Sequence, residues 1–168
     1  MDTQAIYGIV FSEDRTKVLL VLRRDLPIWV LPGGGLEPNE TPAEGVAREV
    51  EEETGFQVTP FRQVAEYLPV NSMTKRTHVF ECIILRGKMA ANCEAREISF
   101  FPVNDLPSRL PPPFPGWIAD ALDKKQEIIR KPIEGVSYTV LLKLLCQHPI
   151  LVLRYFLTKI GIRFNNQH

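Results

Sequence analysis

The chain has 168 residues, 45% of them hydrophobic, and a formal net charge of zero, which is the composition of one soluble globular domain able to bury a core. That balance excludes a disordered chain, and the acidic residues 1–123 argue against general nucleic-acid binding, which needs a basic surface. Residues 124–168 carry eight Lys or Arg against Glu127 and Glu134, a charge of +6, so residues 1–123 carry −6.

The opening "MDTQAIYGIV" lacks a basic region, a long apolar run and a small-residue cleavage site, so no signal peptide is expected. Cys82, Cys93 and Cys146 are odd in number and have no metal-ligand spacing, which points to free thiols in a reducing compartment, the cytoplasm. In chain order, "AIYGIVFS" and "KVLLVLRR" are β-rich runs separated by the polar "EDRT" and are expected to pair. "WVLP" is a short apolar run stopped by Pro32 and three glycines. The runs "QVTPFRQVAEYL" and "THVFECIIL" predict two more antiparallel strands, and "EISFFPV" the last strand. "PGWIADALDKKQEII" predicts a helix opened by Pro115, after the proline-rich loop "LPSRLPPPFPGW". Strands with interspersed helices indicate an α/β fold, an α/β/α sandwich around a mixed sheet.

The segment "GGGLEPNETPAEGVAREVEEETGF" carries the chemistry. Thr41, Pro42 and Glu44 fit an N-cap, a first helical position and a capping-box partner, so a helix is expected from 42, with Gly55 just past its end. At 100° per residue Ala43, Val46, Ala47 and Val50 form a core stripe, and Glu44 and Glu51 face solvent. Glu49, Glu52 and Glu53 stand at i, i+3 and i+4 on a third stripe beside Gly45, whose small size is expected to leave room above them. Like charges at this spacing destabilise a helix by a few tenths of a kcal/mol per pair, only part of which Arg48 offsets. A hard divalent cation relieves that repulsion, whereas a plain solvated face is the competing explanation of any glutamate run.

Gly34, five residues, Glu40, seven residues, Arg48-Glu49, Val50, one residue, Glu52-Glu53, one residue, Gly55 and Phe56 resemble in full the Nudix box of the Nudix hydrolases. The resemblance extends to "WVLPGGG" before the box and "EISFFPVNDLP" after it, and covers residues 5 to 126. It implies an enzyme that hydrolyses a nucleoside diphosphate linked to another moiety, with Mg²⁺ or Mn²⁺ as cofactor. By the same resemblance Glu49, Glu52 and Glu53 bind the metal and one of them activates water. Gly33 contributes a backbone carbonyl, while Glu40 and Arg48 brace the loop behind Gly34 and orient the glutamates. Glu94 or Glu97 is the candidate for a further acid. Arg23 and Arg24 are candidates for pairing with substrate phosphates, and Trp29 and Tyr7 for stacking on a base, against solvated and core alternatives respectively. His78 is assigned no chemistry.

An active pyrophosphohydrolase is the first expectation. A Nudix-fold binding or regulatory module without turnover, and an RNA 5′-end pyrophosphohydrolase, are the alternatives. Residues 1–130 are expected to form the Nudix domain and 131–168 an apolar, basic, helical extension. Its longest uncharged run, Leu144 to Leu153, is too short to span a bilayer, and Pro149 is expected to start a second helix. Packing on the enzyme's own sheet or on a homodimer mate is favoured for this segment over peripheral contact with an anionic membrane, with binding of a partner as the third reading.

Overall fold

The computed structural model describes residues 4–91, 95–123, 127–147 and 149. Its elements begin with β1 (Ala5–Val10), β2 (Lys17–Arg23), β3 (Trp29–Val30), β4 (Gly33–Gly35) and α1 (Pro42–Thr54). They continue with β5 (Phe56–Leu68), β6 (Thr77–Gly87), β7 (Ala95–Pro102), α2 (Phe114–Leu122), β8 (Ile129–Pro132) and α3 (Tyr138–Gln147). One sheet has the order β4-β1-β6-β5-β8 and a second the order β3-β2-β7. The larger sheet is mixed: β1 with β6 and β5 with β8 are parallel, whereas β4 with β1 and β5 with β6 are antiparallel.

Alternation along β1 determines the layers. Ile6 and Val10 join Val46 and Val50 of α1, with Leu19, Val58, Phe80 and Cys82, in one core. Ile9, on the opposite face, joins Val64, Tyr67 and Val79 under Phe114, Trp117, Ile118 and Ala121 of α2. The expected helix-sheet-helix sandwich is therefore present. A β-carbon on Gly8 would lie 2.5 Å from Val50 Cγ2, so glycine is what lets α1 sit this close to the strand. Val46 and Val50 are fully buried, each contributing on the order of 1.5–3 kcal/mol.

Three expectations are corrected. β1 and β2 do not pair, apart from a single bridge between Phe11 and Val18. Both edges of β1 are taken, by β4 and β6, so β2 leaves the turn to pair with β3 and β7. The helix opened near Pro115 ends at Leu122, and Ile129 already belongs to a strand. That strand, β8, follows β7, so "EISFFPV" is not the last strand, and the sheet runs past the expected boundary at 130. Among the described residues no helix is long and apolar enough to cross a membrane. Cys93, Glu94 and the helix expected beyond Pro149 lie outside the described residues.

Candidate functional site

The helix α1 starts and stops where its caps dictate. The Thr41 hydroxyl accepts from the Glu44 backbone N–H at 3.3 Å, and the Thr41 N–H donates to Glu44 Oε2 at 2.9 Å, the reciprocal pair of a capping box. Gly55 closes the other end with φ of 76°, a left-handed conformation that glycine adopts without steric cost, and its N–H reaches the Glu51 carbonyl. These two ends fix the helix phase, and with it the positions of the glutamates.

The glycine strand β4 lies directly against that helix. The Gly33 N–H donates to Glu53 Oε2 at 3.0 Å. A β-carbon on Gly33 would lie 2.2 Å from the Ile6 carbonyl oxygen, and one on Gly34 would lie 2.5 Å from Glu49 Oε1. Any side chain at either position would displace its neighbour. The structure thus brings Gly33, Gly34, Glu49 and Glu53 together.

Arg48 is the hub of the site. Its Nε and Nη2 donate to the two oxygens of Glu40 at 2.9 and 3.0 Å, a bidentate pairing. Nη1 donates to Glu49 Oε1 at 3.0 Å and to Glu52 Oε2 at 3.5 Å, and Nη2 also to the Gly35 carbonyl at 3.3 Å. One cation therefore faces three acids. The hydrogen bonds from Arg48 hold the Glu40 carboxyl below its ordinary range. Burial pushes the Glu49 carboxyl above its ordinary range, against the pull of Arg48 and with help from the charges of Glu52 and Glu40. The Glu52 side chain is 57% exposed, against 15% for Glu49.

The space expected beside Gly45 is not there. A β-carbon on Gly45 would meet Ile6 Cδ1 at 2.5 Å and Glu40 Oε2 at 2.7 Å, so the glycine admits the strand and the bracing glutamate rather than a ligand. Glu51 faces away, accepting from Gln57 Nε2 at 2.6 Å.

The remaining candidates are placed as follows. Arg23 is held by Asp25 through Nε and Nη2 at 2.9 and 2.6 Å. Its pKa is raised first by that bond and, less strongly, by the charges of Asp25 and Glu53, which sets Arg23 within the field of the glutamate site. Arg24 donates to the Ala95 carbonyl at 3.2 Å. The Tyr7 ring lies 5.4 Å from Phe114 and 5.3 Å from Trp117, and Trp29 meets Phe101 edge-on at 4.6 Å, so both rings sit in aromatic packing. Glu97 is exposed on β7, opposite Leu22, one position before Arg23. Among the described residues no three His, Cys, Asp or Glu side chains converge into a cation cage. Sequence reasoning missed Asp25 and the Gly35 carbonyl. The dipeptide spacing of "RRD" is the signal for Asp25, whereas a backbone acceptor leaves none.

A family model described as the NUDIX domain matches residues 2–124. A MutT-like protein of Streptomyces ambofaciens is 36% identical over 122 residues, covering 71% of this chain and 76% of that protein. A Bacillus subtilis protein provisionally named 8-oxo-dGTP diphosphatase is 31% identical over 129 residues, covering 76% of this chain and 85% of its own length. Among solved structures, an ADP-ribose pyrophosphatase from Streptococcus suis is similar with a TM-score of 0.63 and 25% identity, over 78% of this chain and 98% of that one. With the box glutamates and glycines assembled on one helix and one strand, and the family model spanning residues 2–124, the chain belongs to the NUDIX domain family.

Proposed function

We propose that this protein is a metal-dependent pyrophosphohydrolase that cleaves a nucleoside diphosphate linked to another moiety. The observation that carries the reading is the contact of the glycine strand with the glutamates. The Gly33 N–H holds Glu53, and the bare Gly34 backbone lies against Glu49. A solvated face of glutamates has no use for such a fit. The relatives named for their substrates, 8-oxo-dGTP in one and ADP-ribose in the other, share a phosphoric anhydride attached to a nucleoside.

The donor set fits a hard cation. Carboxylates of Glu49, Glu52 and Glu53 and the carbonyl of Gly33 are all oxygen donors, as Mg²⁺ or Mn²⁺ requires. Mg²⁺ is ordinarily bound through one or two carboxylates plus water and substrate phosphate, so a closed protein cage is not needed. When bound, the cation neutralises charge on the phosphates and lowers the pKa of water.

The chain's own residues supply the rest. Arg48 keeps Glu49 and Glu40 aligned and offsets their mutual repulsion. Gly33 fixes the orientation of Glu53. One box carboxylate accepts the proton of the attacking water as its oxygen bonds to phosphorus and the bridging P–O bond breaks, leaving two phosphate-bearing products. Arg23, turned from Asp25, pairs with a phosphate oxygen.

Buried Cys82 and exposed Cys146, both free thiols, support a reducing compartment such as the cytoplasm. Incubation of the full chain with Mg²⁺ and a panel of nucleoside diphosphate derivatives tests the reading by release of nucleoside monophosphate. Binding of those compounds without turnover would favour a regulatory module instead.

A further inference from the structure

The turn after β2 pairs an acid that is tied down with a base that is not. The Arg23 N–H donates to the Ile28 carbonyl at 3.1 Å and the Ile28 N–H to the Leu26 carbonyl at 2.7 Å, so backbone bonds close the turn. Within it Asp25 Oδ1 accepts from the Leu26 N–H at 2.8 Å, and Leu26 is itself buried, which ties the carboxylate to the backbone. The Arg23 side chain is 47% exposed and meets that carboxylate through Nε and Nη2 at 2.9 and 2.6 Å. Of the two partners, the guanidinium is the one able to leave.

The turn adjoins the glutamate site. It leads into β3, and Leu31 and Pro32 alone separate β3 from the glycine strand β4 that holds Glu53. The charge of Glu53 acts on Arg23, behind that of the nearer Asp25. A guanidinium here attracts phosphate, and a phosphate presents the same paired oxygens as a carboxylate. Asp25 already supplies them. A phosphate approaching Arg23 therefore meets a donor edge that is taken and a like charge bonded to the same guanidinium, and both oppose its binding. The opposition is modest, because an ion pair reached by solvent is weak enough to be exchanged.

We propose that Asp25 is an internal competitor for Arg23: its carboxylate holds the guanidinium in the free protein, and a substrate phosphate binds Arg23 by taking it from Asp25. The role deepens the pyrophosphohydrolase reading and rests on it for the phosphate at Arg23. Asp25 thereby weakens the hold on phosphate, and it recovers Arg23 as a phosphate-bearing product leaves.

The test is calorimetric binding of the α,β-methylene analogue of ADP, whose bridging carbon prevents cleavage, to the full chain with Mg²⁺. Asp25→Asn keeps an oxygen for the Leu26 N–H and removes the charge. It is expected to bind the analogue about fivefold tighter than wild type, the upper end for the loss of an exposed ion pair. Arg23→Gln binds it at least about tenfold more weakly, as loss of a charged hydrogen bond does. The double variant binds like Arg23→Gln alone, because the gain passes through the guanidinium. All three variants keep an unfolding temperature near wild type, since the pair is exposed. Binding by Asp25→Asn that is equal to or weaker than wild type overturns the proposal, and so does a gain that survives in the double variant. Absence of analogue binding by the wild-type chain overturns it as well. The hydrolase reading fails separately, if a chain that binds the analogue releases no nucleoside monophosphate from cleavable compounds.

Discussion

Gly34 and Glu49 share a space with no room for a β-carbon: one built on the glycine falls 2.5 Å from Oε1 and 2.8 Å from Oε2 of the glutamate. Because the obstacle is the end of a side chain, Gly34→Ala is absorbed by rotation of Glu49 rather than by unfolding. Turnover is expected to fall on the order of tenfold, which is about 1.4 kcal/mol of lost transition-state stabilisation. The unfolding temperature should stay close to wild type. A variant with full turnover would show that the position of Glu49 does not matter.

Glu53→Gln keeps shape and removes charge. It is expected to lower kcat about tenfold or more, as loss of a group that acts on the transition state does. Glu51→Gln is the control, since Glu51 is exposed, its carboxylate bonds with Gln57 away from the site, and the change should leave kcat unchanged. Steady-state kinetics on both variants separates a sited glutamate from a merely acidic helix.

The origin of these two predictions shows which parts of the molecule were legible in the sequence. Thr41, Pro42, Glu44 and Gly55 are local signals, and α1 begins and ends where they put it. Strand partnership is not local. β1 and β2 look like a hairpin because the competitors for the edges of β1, Gly33–Gly35 and Thr77–Gly87, lie far along the chain. The short strand "IRKP" has no run long enough to announce itself, and its first residue, Ile129, reads as the end of the preceding helix. Gly45 shows the same limit at the site: glycine signals that something comes close, but not whether it is a ligand or, as here, Ile6 and Glu40.

Chelation and pH should move Glu49 in a definite sense. Burial raises its carboxyl pKa, so in the metal-free protein the ionised form costs stability, and that cost appears as pH rises through the raised value. Glu49→Gln is therefore expected to match or exceed wild type in unfolding temperature in EDTA at neutral pH. It should also show a smaller rise on adding Mg²⁺. A large loss of stability in EDTA would contradict this sign.

His78 provides a second pH test, away from the glutamates. Gln4 Oε1 can only accept, so Nε2 carries the proton, and Nδ1 accepts from Gln63 Nε2 at 3.1 Å. Burial lowers the His78 pKa below 6.5, with Arg76 acting in the same direction and Glu66 opposing. The neutral ring's contribution is complete above pH 6.5 and is lost as pH falls through the lowered value. The slope of unfolding temperature against pH in that window should flatten in His78→Gln.

Glu81 is buried and accepts from Arg15 and from Arg62 Nε at 3.0 Å, while both arginines also reach the Ala121 carbonyl at the end of α2. Removing the charge leaves two guanidinium groups short of a partner. Glu81→Gln is expected to cost about 3 kcal/mol of stability in denaturant titration. Turnover per folded molecule should be unchanged, since the network lies at α2 and not at the box.

The central claim is that residues 33–53 form a metal-dependent site for phosphoric anhydride cleavage. Product analysis of the wild-type chain on nucleoside diphosphate-linked compounds, with Mg²⁺ and then with excess EDTA, tests it most directly. The account predicts release of nucleoside monophosphate that stops with EDTA, returns with Mg²⁺ or Mn²⁺, and is diminished at least about tenfold in Glu53→Gln. Cleavage that persists undiminished in excess EDTA, or at the full rate in Glu53→Gln, would contradict it.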